Sequence, residues 1–325
     1  MSLTLVTGAT GLVGFNIVQA LHGQGRRIRA LVRSPQRACT LLPPDVELAA
    51  GDLTDPDSLR RALAGCSVVY HAAGLPEQWL PDPATFEHVN TCGSRNLARM
   101  ALEAGVEKFL YTSTIDVFAA DRGASYNEST LDPTPKGTAY ERSKQRADRI
   151  LADALEQGLP AIFLHPAAVY GPGPSASPGL NRFFTDLRDG KVPMLLPGGL
   201  PVVLSSDVAA GHLLAEERGT VGNRYILSEG YYSLRELAQL AASQLGLERI
   251  PPVLPLGVGR LVSFAGERLA RLTGRPPLIP RGQLHFLQWG ARPVNDKARR
   301  DLGWEPTPIA AGLEQTLAYL RSASG

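Results

Sequence analysis

Residues 3–14 constrain the fold more than any other stretch. Leu3-Thr4-Leu5-Val6 is a short apolar run that breaks directly into Thr7-Gly8-Ala9-Thr10-Gly11-Leu12-Val13-Gly14, and a helical pattern follows from Phe15 to Leu21. The order is strand, glycine turn, helix, an arrangement in which backbone N–H groups at a helix N-terminus face a pyrophosphate. Gly8 permits the tight turn, Gly11 lets phosphate approach bare backbone, and Gly14 lets helix and strand pack closely. With Thr10, Leu12 and Val13 between and beside them, these glycines form a candidate diphosphate cradle. A strand-to-helix turn with no ligand carries the same glycines; the position behind an apolar strand favours the binding reading.

Composition narrows the rest. A chain of 325 residues accommodates one large domain, or a large domain and a smaller lobe. Its 44% hydrophobic and 20% charged residues are those of an ordinary globular protein, and a net charge of +2 argues against a nucleic-acid binder. Cys39, Cys66 and Cys92 are odd in number, lack C-x-x-C spacing and fit a reducing compartment. Met1–Val6 has neither a basic nor a long apolar leader pattern, so a cytoplasmic location is expected. No apolar run reaches the roughly 18 residues of a membrane span. The nearest, Val253–Ala270, contains Pro255, Arg260, Glu267 and Arg268. It reads as a packed helix, with membrane-surface contact as the alternative.

Short apolar strands recur at Arg27–Val32, Val46–Ala50, Ser67–His71, Lys108–Thr112 and Ala161–Leu164, with helical patterns between them. This alternation predicts an α/β fold with a doubly wound parallel sheet of the Rossmann kind. From Met1 to Pro44 there is no Asp or Glu, whereas Arg26, Arg27, Arg29, Arg33 and Arg37 all occur. Arg33 falls at the edge of the second strand, about 20 residues past the glycines, where an NAD enzyme of this fold carries a carboxylate for the ribose 2′-hydroxyl. An acid there would repel a 2′-phosphate. Arg33, with Arg37, offers a charge-assisted bidentate grip instead, so NADP(H) is expected over NAD(H).

Two segments carry the chemistry. Lys108–Thr112 ends in Ser113-Thr114-Ile115-Asp116, at the strand edge where open α/β sheets bind ligands, and Tyr140-Glu141-Arg142-Ser143-Lys144 opens a helix. Tyr140 and Lys144, four apart, share a helix face. A ketone reduced by hydride transfer becomes an alkoxide and needs a proton donor. A free tyrosine titrates near 10, and a cation about 4 Å away at an effective dielectric near 20 is worth on the order of 4 kcal/mol. Lys144 is therefore expected to bring Tyr140 towards neutrality.

Thr-Gly-Ala-Thr-Gly-Leu-Val-Gly, His-Ala-Ala-Gly, Tyr-Thr-Ser-Thr and Tyr-x-x-x-Lys, in that order, resemble the extended short-chain dehydrogenase/reductases, the NAD-dependent epimerase/dehydratase family. The resemblance implies that Thr114 occupies the catalytic serine position with Ser113 as fallback, and that Lys144 also bonds the nicotinamide ribose. It implies that Asp52 and Leu53 read the adenine, with helix capping as the other reading of Asp52. Ala72 and Ala73 would lie against the cofactor, Asn90 would support the active-site strand, and Pro166, Ala168 and Val169 would close over the nicotinamide. His165 stands where the family has arginine. Trp79, in a loop over the cleft from Leu75 to Pro83, together with Ser113 and Tyr170, are substrate candidates. The resemblance divides the chain into a dinucleotide-binding domain, 1–171, with a segment returning near 202–228, and a substrate lobe, 172–325, whose first part to Pro201 reads as loops. It also implies a homodimer.

The six histidines lack metal-ligand spacing, and neither Gly-x-Ser-x-Gly nor a Gly-x-x-x-x-Gly-Lys loop is present. No metal is expected. Thr114-Ile115-Asp116 departs from the Thr-Asp-Glu of sugar-nucleotide dehydratases. The pattern as a whole is similar to bacterial dihydroflavonol-4-reductase-like proteins and the hopanoid-associated sugar epimerase-like group, and Tyr-Thr-Ser-Thr-Ile-Asp-Val to 3β-hydroxysteroid dehydrogenases. The expected activity is NADPH-dependent reduction of a small, fairly apolar ketone. The alternatives are an NDP-sugar epimerase with tightly bound NAD(P), and a non-catalytic NADP-binding sensor.

Overall fold

The computed structural model describes residues 2–174, 179–273, 277 and 281–322. Its strands are β1 Leu3–Thr7, β2 Arg27–Val32, β3 Glu47–Ala50, β4 Cys66–His71, β5 Lys108–Thr112, β6 Ser125–Tyr126, β7 Ala161–Pro166, β8 Ala168–Tyr170, β9 Gly199–Leu204, β10 Arg224–Leu227, β11 Gly230–Ser233 and β12 Arg292–Pro293. Among the described residues seven of them form one parallel sheet, ordered β10-β7-β5-β4-β1-β2-β3. The winding reverses between β1 and β4, the crevice where a Rossmann-like α/β sheet takes its ligand.

Both faces of the sheet are covered, and successive side chains point to opposite faces. Along β1, Val6 enters a core with Ile17 and Val18 of helix α1 (Leu12–Gly23), whereas Leu5 enters the other. Short α2 (Pro35–Ala38) follows β2, and α3 (Pro56–Leu63) supplies Leu59 to the core of Leu5. Leu97 of α5 (Gly93–Ala104) and Leu151 of α6 (Ala139–Glu156) join it. The helical pattern expected over Thr85–Ala104 is not continuous. It comprises α4 (Ala84–Phe86), a π-helical stretch Glu87–Cys92, and α5.

The stretch read as loops from Pro172 to Pro201 contains α7 (Leu180–Arg188) and the start of β9; residues 175–178 lie outside the described residues. Leu180, Phe184 and Leu187 recur at helical spacing and bury together, which outweighs the surrounding proline and glycine. Their core is shared with α9 (Leu234–Leu245) and with β9, central strand of a three-stranded sheet ordered β11-β9-β8. Between α7 and α9, helix α8 (Ser205–Arg218) packs along α1 and β10 completes the large sheet. Beyond α9 come α10 (Leu256–Thr273), α11 (Arg281–Trp289), α12 (Asp296–Leu302) and α13 (Ile309–Ser322).

Candidate active site

The turn between β1 and α1 is lined by backbone because nothing larger fits. Gly8 has φ +71°, and a Cβ there would meet the Ala72 carbonyl at 2.7 Å. A Cβ on Gly14 would lie 2.2 Å from the Gly8 oxygen. Gly11 caps α1 with no side-chain hydrogen bond, leaving first-turn N–H groups to an external acceptor. Thr10, Leu12 and Val13 are half-buried around this turn. The segment after β8 roofs it: Asn16 Nδ2 donates to the Pro172 oxygen at 2.8 Å, and a Cβ on Gly173 would lie 2.4 Å from Leu12 Cδ1. A bare, capless cradle at the winding switch fits a dinucleotide diphosphate.

Arg33 is exposed at the end of β2 and its charge reaches Asp52. Burial pushes the Asp52 carboxyl up, but the Thr54 N–H and hydroxyl and the charges of Arg33 and His88 together hold it below its ordinary value. Asp52 Oδ1 accepts both Thr54 groups, at 2.9 and 2.7 Å, while Asp55 caps α3. The capping reading of Asp52 is thereby corrected. Leu53 is buried, and a Cβ on Gly93 would lie 2.9 Å from its own Cβ. Ala72 and Ala73 donate to the Thr7 oxygen and hydroxyl, both at 3.3 Å. His71 before them is fixed between Thr7 and Ser94 at 2.9 Å each, and burial pulls its imidazole down to about 3.

Beyond this crevice the β5 strand end meets α6. Thr138 and Glu141 form a capping box that starts α6 and points Tyr140 and Lys144 in one direction. The Thr114 hydroxyl donates to Asp116 Oδ2 at 2.8 Å, beside Tyr140. Lys144 Nζ donates to the Thr112 oxygen at 2.9 Å and lies 5.0 Å from the centre of the Tyr111 ring. Burial draws this ammonium down to about 8, against the charges of Asp148 and Asp116. Tyr140 differs from expectation: burial, reinforced by the Asp116 carboxyl and opposed by the Thr114 hydrogen bond, pushes its hydroxyl well above 10 rather than towards neutrality. The cation is committed to Thr112, and the charges that act on Tyr140 are the carboxyls of Asp116 and Glu77.

Those carboxyls belong to two residues that sequence reasoning left without a role. Asp116 is buried and its Oδ1 has no hydrogen-bond partner; burial and Glu141 push it up to about 7. Glu77, in the loop over the cleft, accepts from the Thr138 hydroxyl at 3.0 Å, and burial likewise lifts it to about 7. Raised carboxyls bind more protons in the folded than in the unfolded chain, so from 3.8 to about 7 for Asp116 stability falls as pH rises. Asp116→Asn is expected to flatten that decline by about 1.4 kcal/mol for each pKa unit removed. Urea denaturation on either side of the window checks it, and an equal decline in both proteins would exclude Asp116 as the group.

Ser113 is turned away from Tyr140: its hydroxyl donates to Asp148 Oδ2 at 2.7 Å. Asp148 pairs with Arg224 of β10 at 2.5 Å, and Arg224 in turn lies 3.3 Å from His165 Nε2. The ring's Nδ1 is 3.1 Å from the Thr114 oxygen, and burial pulls His165 down to about 4. Arg224 of β10 thus sets a guanidinium beside His165, and Asp148 continues the Tyr140–Lys144 spacing by another four residues. Ser113 is corrected from substrate candidate and fallback to a member of this brace. Tyr170 is corrected too. It is fully buried, its ring packs edge-on to Phe184, and a Cβ on Gly312 would lie 2.3 Å from its hydroxyl. Trp79 is half-buried in an irregular loop, and Pro166, Ala168 and Val169 lie at the β7–β8 strand ends. Asn90 holds that loop to α6, exchanging hydrogen bonds with Leu75 at 2.7 and 3.1 Å and donating to Ser143 at 3.0 Å, rather than bracing the strand.

Comparison with known proteins gives a consistent picture. The model of the NAD dependent epimerase/dehydratase family matches residues 4–227. The chain is 32% identical to sterol demethylase protein B of Methylococcus capsulatus over 98% of both chains. It is 29% identical to a putative dihydroflavonol 4-reductase of Synechocystis, covering 98% of this chain and 94% of that one. The crystal structure of gox2253 superimposes with a TM-score of 0.83 at 34% identity, over 99% of each chain.

Proposed function

The chain belongs to the NAD dependent epimerase/dehydratase family, an NAD(P)-dependent enzyme of the extended short-chain dehydrogenase/reductase type, and from that premise we propose that it reduces a ketone of a small, fairly apolar substrate with NADPH. The observation that carries this reading is the placement of Tyr140 one turn of α6 before the buried Lys144, at the β5 strand end, with its hydroxyl held in its protonated form by burial and by Asp116. A proton donor must hold its proton until charge develops on the acceptor. A bound reduced nicotinamide supplies the hydride. Tyr140, with Thr114 once its hydroxyl turns from Asp116, would hold the carbonyl oxygen, and Tyr140 gives its proton to that oxygen as it becomes an alkoxide. Lys144, buried a turn along α6, steadies the phenolate left behind. The two curated relatives are named for a sterol and a dihydroflavonol, both non-nucleotide ring compounds.

Cofactor choice rests on Arg33. No carboxylate follows the glycine turn at the end of β2, and the exposed guanidinium suits a 2′-phosphate. Arg33→Asp is expected to move the ratio of kcat/KM for NADPH to NADH at least about ten-fold towards NADH, the worth of one lost charge-assisted contact of 1.4 kcal/mol or more. An unchanged ratio would remove Arg33 from the 2′-phosphate site. The reaction itself is tested by following NADPH absorbance with a panel of cyclic and open-chain ketones. Tight binding of a nucleoside-diphosphate sugar without net NADPH consumption would favour the epimerase reading. Cofactor binding without turnover of either class would favour the sensor.

A further inference from the structure

Helix α10 exposes four large apolar side chains. Leu261 and Leu269 are 68% and 60% exposed, and Val258 and Phe264 47% and 44%. At 3.6 residues per turn, Val258, Leu261, Ala265 and Leu269 fall within a sector of about 80°. Gly259, Ser263 and Ala270 occupy the opposite side and are buried. Basic residues lie along one edge of the apolar stripe: Arg260 is exposed, and the Arg268 guanidinium lies 4.6 Å from the centre of the Phe264 ring. Within 256–273 the charges are Arg260, Arg268 and Arg271 against Glu267, so 3 − 1 = +2, as large as the formal excess of the entire chain. The neighbouring helix α11 reaches the cleft. A Cβ on Gly282 would lie 2.8 Å from Glu77 Oε1, and one on Gly137, three residues before Tyr140, would lie 3.4 Å from His285 Nε2.

We propose that the outer face of α10 docks on the surface of an anionic phospholipid bilayer, lying in the headgroup plane with Leu261 and Leu269 inserted and the arginines among the phosphates. An exposed apolar stripe with arginines along its edge is the pattern of an interfacial helix. Anionic headgroups complement those arginines. A second copy of the chain, paired face to face through the same stripe, would bring like charges together. Docking sets α10 at the lipid boundary with α11 behind it against the cleft. The inference stands whether or not the reductase reading does.

Sedimentation with vesicles tests it. The intact chain is expected to co-sediment with phosphatidylglycerol–phosphatidylcholine vesicles at least about ten-fold more than with phosphatidylcholine alone, and less as salt is raised. Leu261→Glu with Leu269→Glu should lower that partitioning by about ten-fold or more while the thermal melt and elution volume stay unchanged. Failure of the unaltered chain to distinguish anionic from neutral vesicles overturns the proposal without reliance on any variant. So does a double variant that binds vesicles as before. A double variant that changes oligomeric state, with no vesicle binding by either protein, would make the face a contact between copies instead.

Discussion

Tyr140→Phe is expected to lower kcat by about 10²–10⁴-fold, the usual worth of a positioned general acid, while the NADPH dissociation constant stays within a few-fold. The substitution deletes one oxygen and little else. The ring keeps its edge-on contact with Phe86, 5.9 Å between centres, and Thr114 keeps its bond to Asp116. Lys144 is anchored to Thr112 independently of the phenol, so the cation should not move. Single-turnover rates with a ketone, paired with a fluorescence titration of NADPH, separate chemistry from binding. A loss of affinity as large as the loss of rate would take Tyr140 out of the proton-donor role.

Gly14→Ala should damage fold and cofactor binding together. The added methyl would sit 2.2 Å from the Gly8 oxygen, 2.5 Å from its carbonyl carbon and 2.9 Å from the Ala9 nitrogen, all backbone atoms with no rotamer to change. Helix α1 must withdraw from the turn. Overpacking of this kind costs about 1–3 kcal/mol and sometimes more, which in a chain of 325 residues lowers Tm by about 1–2 °C per kcal/mol. Displacing the first-turn N–H groups should weaken NADPH at least about ten-fold, as one or two lost hydrogen bonds to a charged group would. Gly23→Ala, at the last position of the same helix, has nothing within 4 Å of its new methyl. It should be neutral or stabilising by up to about 1 kcal/mol. If the two variants melt alike, the close approach at Gly14 does not govern the turn.

Much of this architecture is legible in the chain because its signals are local. The glycine spacing, alternating apolar strands and the four-residue offset of Tyr140 and Lys144 act over a few residues, and each element forms near its expected place. What stays hidden depends on partners far along the chain. An aspartate at position 148 reads as a solvated helix face until Arg224, 76 residues on, is known to pair with it. One neighbouring amine predicts a low proton affinity for Tyr140, yet burial raises it first, and Asp116 and Glu77, which arrive from a strand end and a loop, raise it further. Tyr170 sits in a motif that points to the cleft, but Phe184 and Gly312 close over it from elements whose packing no local pattern announces. The π-helical stretch at Glu87–Cys92 gives no compositional sign at all.

The return of the chain to its first sheet has a consequence for biosynthesis. The back of α1 is covered by α8, and the outer edge of the sheet is finished by β10, which also delivers Arg224 to the brace behind Thr114. While a ribosome is still making residues before 224, the nascent chain already contains the glycine turn, Tyr140 and Lys144 but lacks the strand that locks them. Chains grow at about 5–20 residues per second, so for several seconds the nucleotide crevice exists with one edge open. A translational pause placed shortly before codon 205 would lengthen that vulnerable interval, and one placed far enough beyond codon 227 for β10 to have left the ribosome would not.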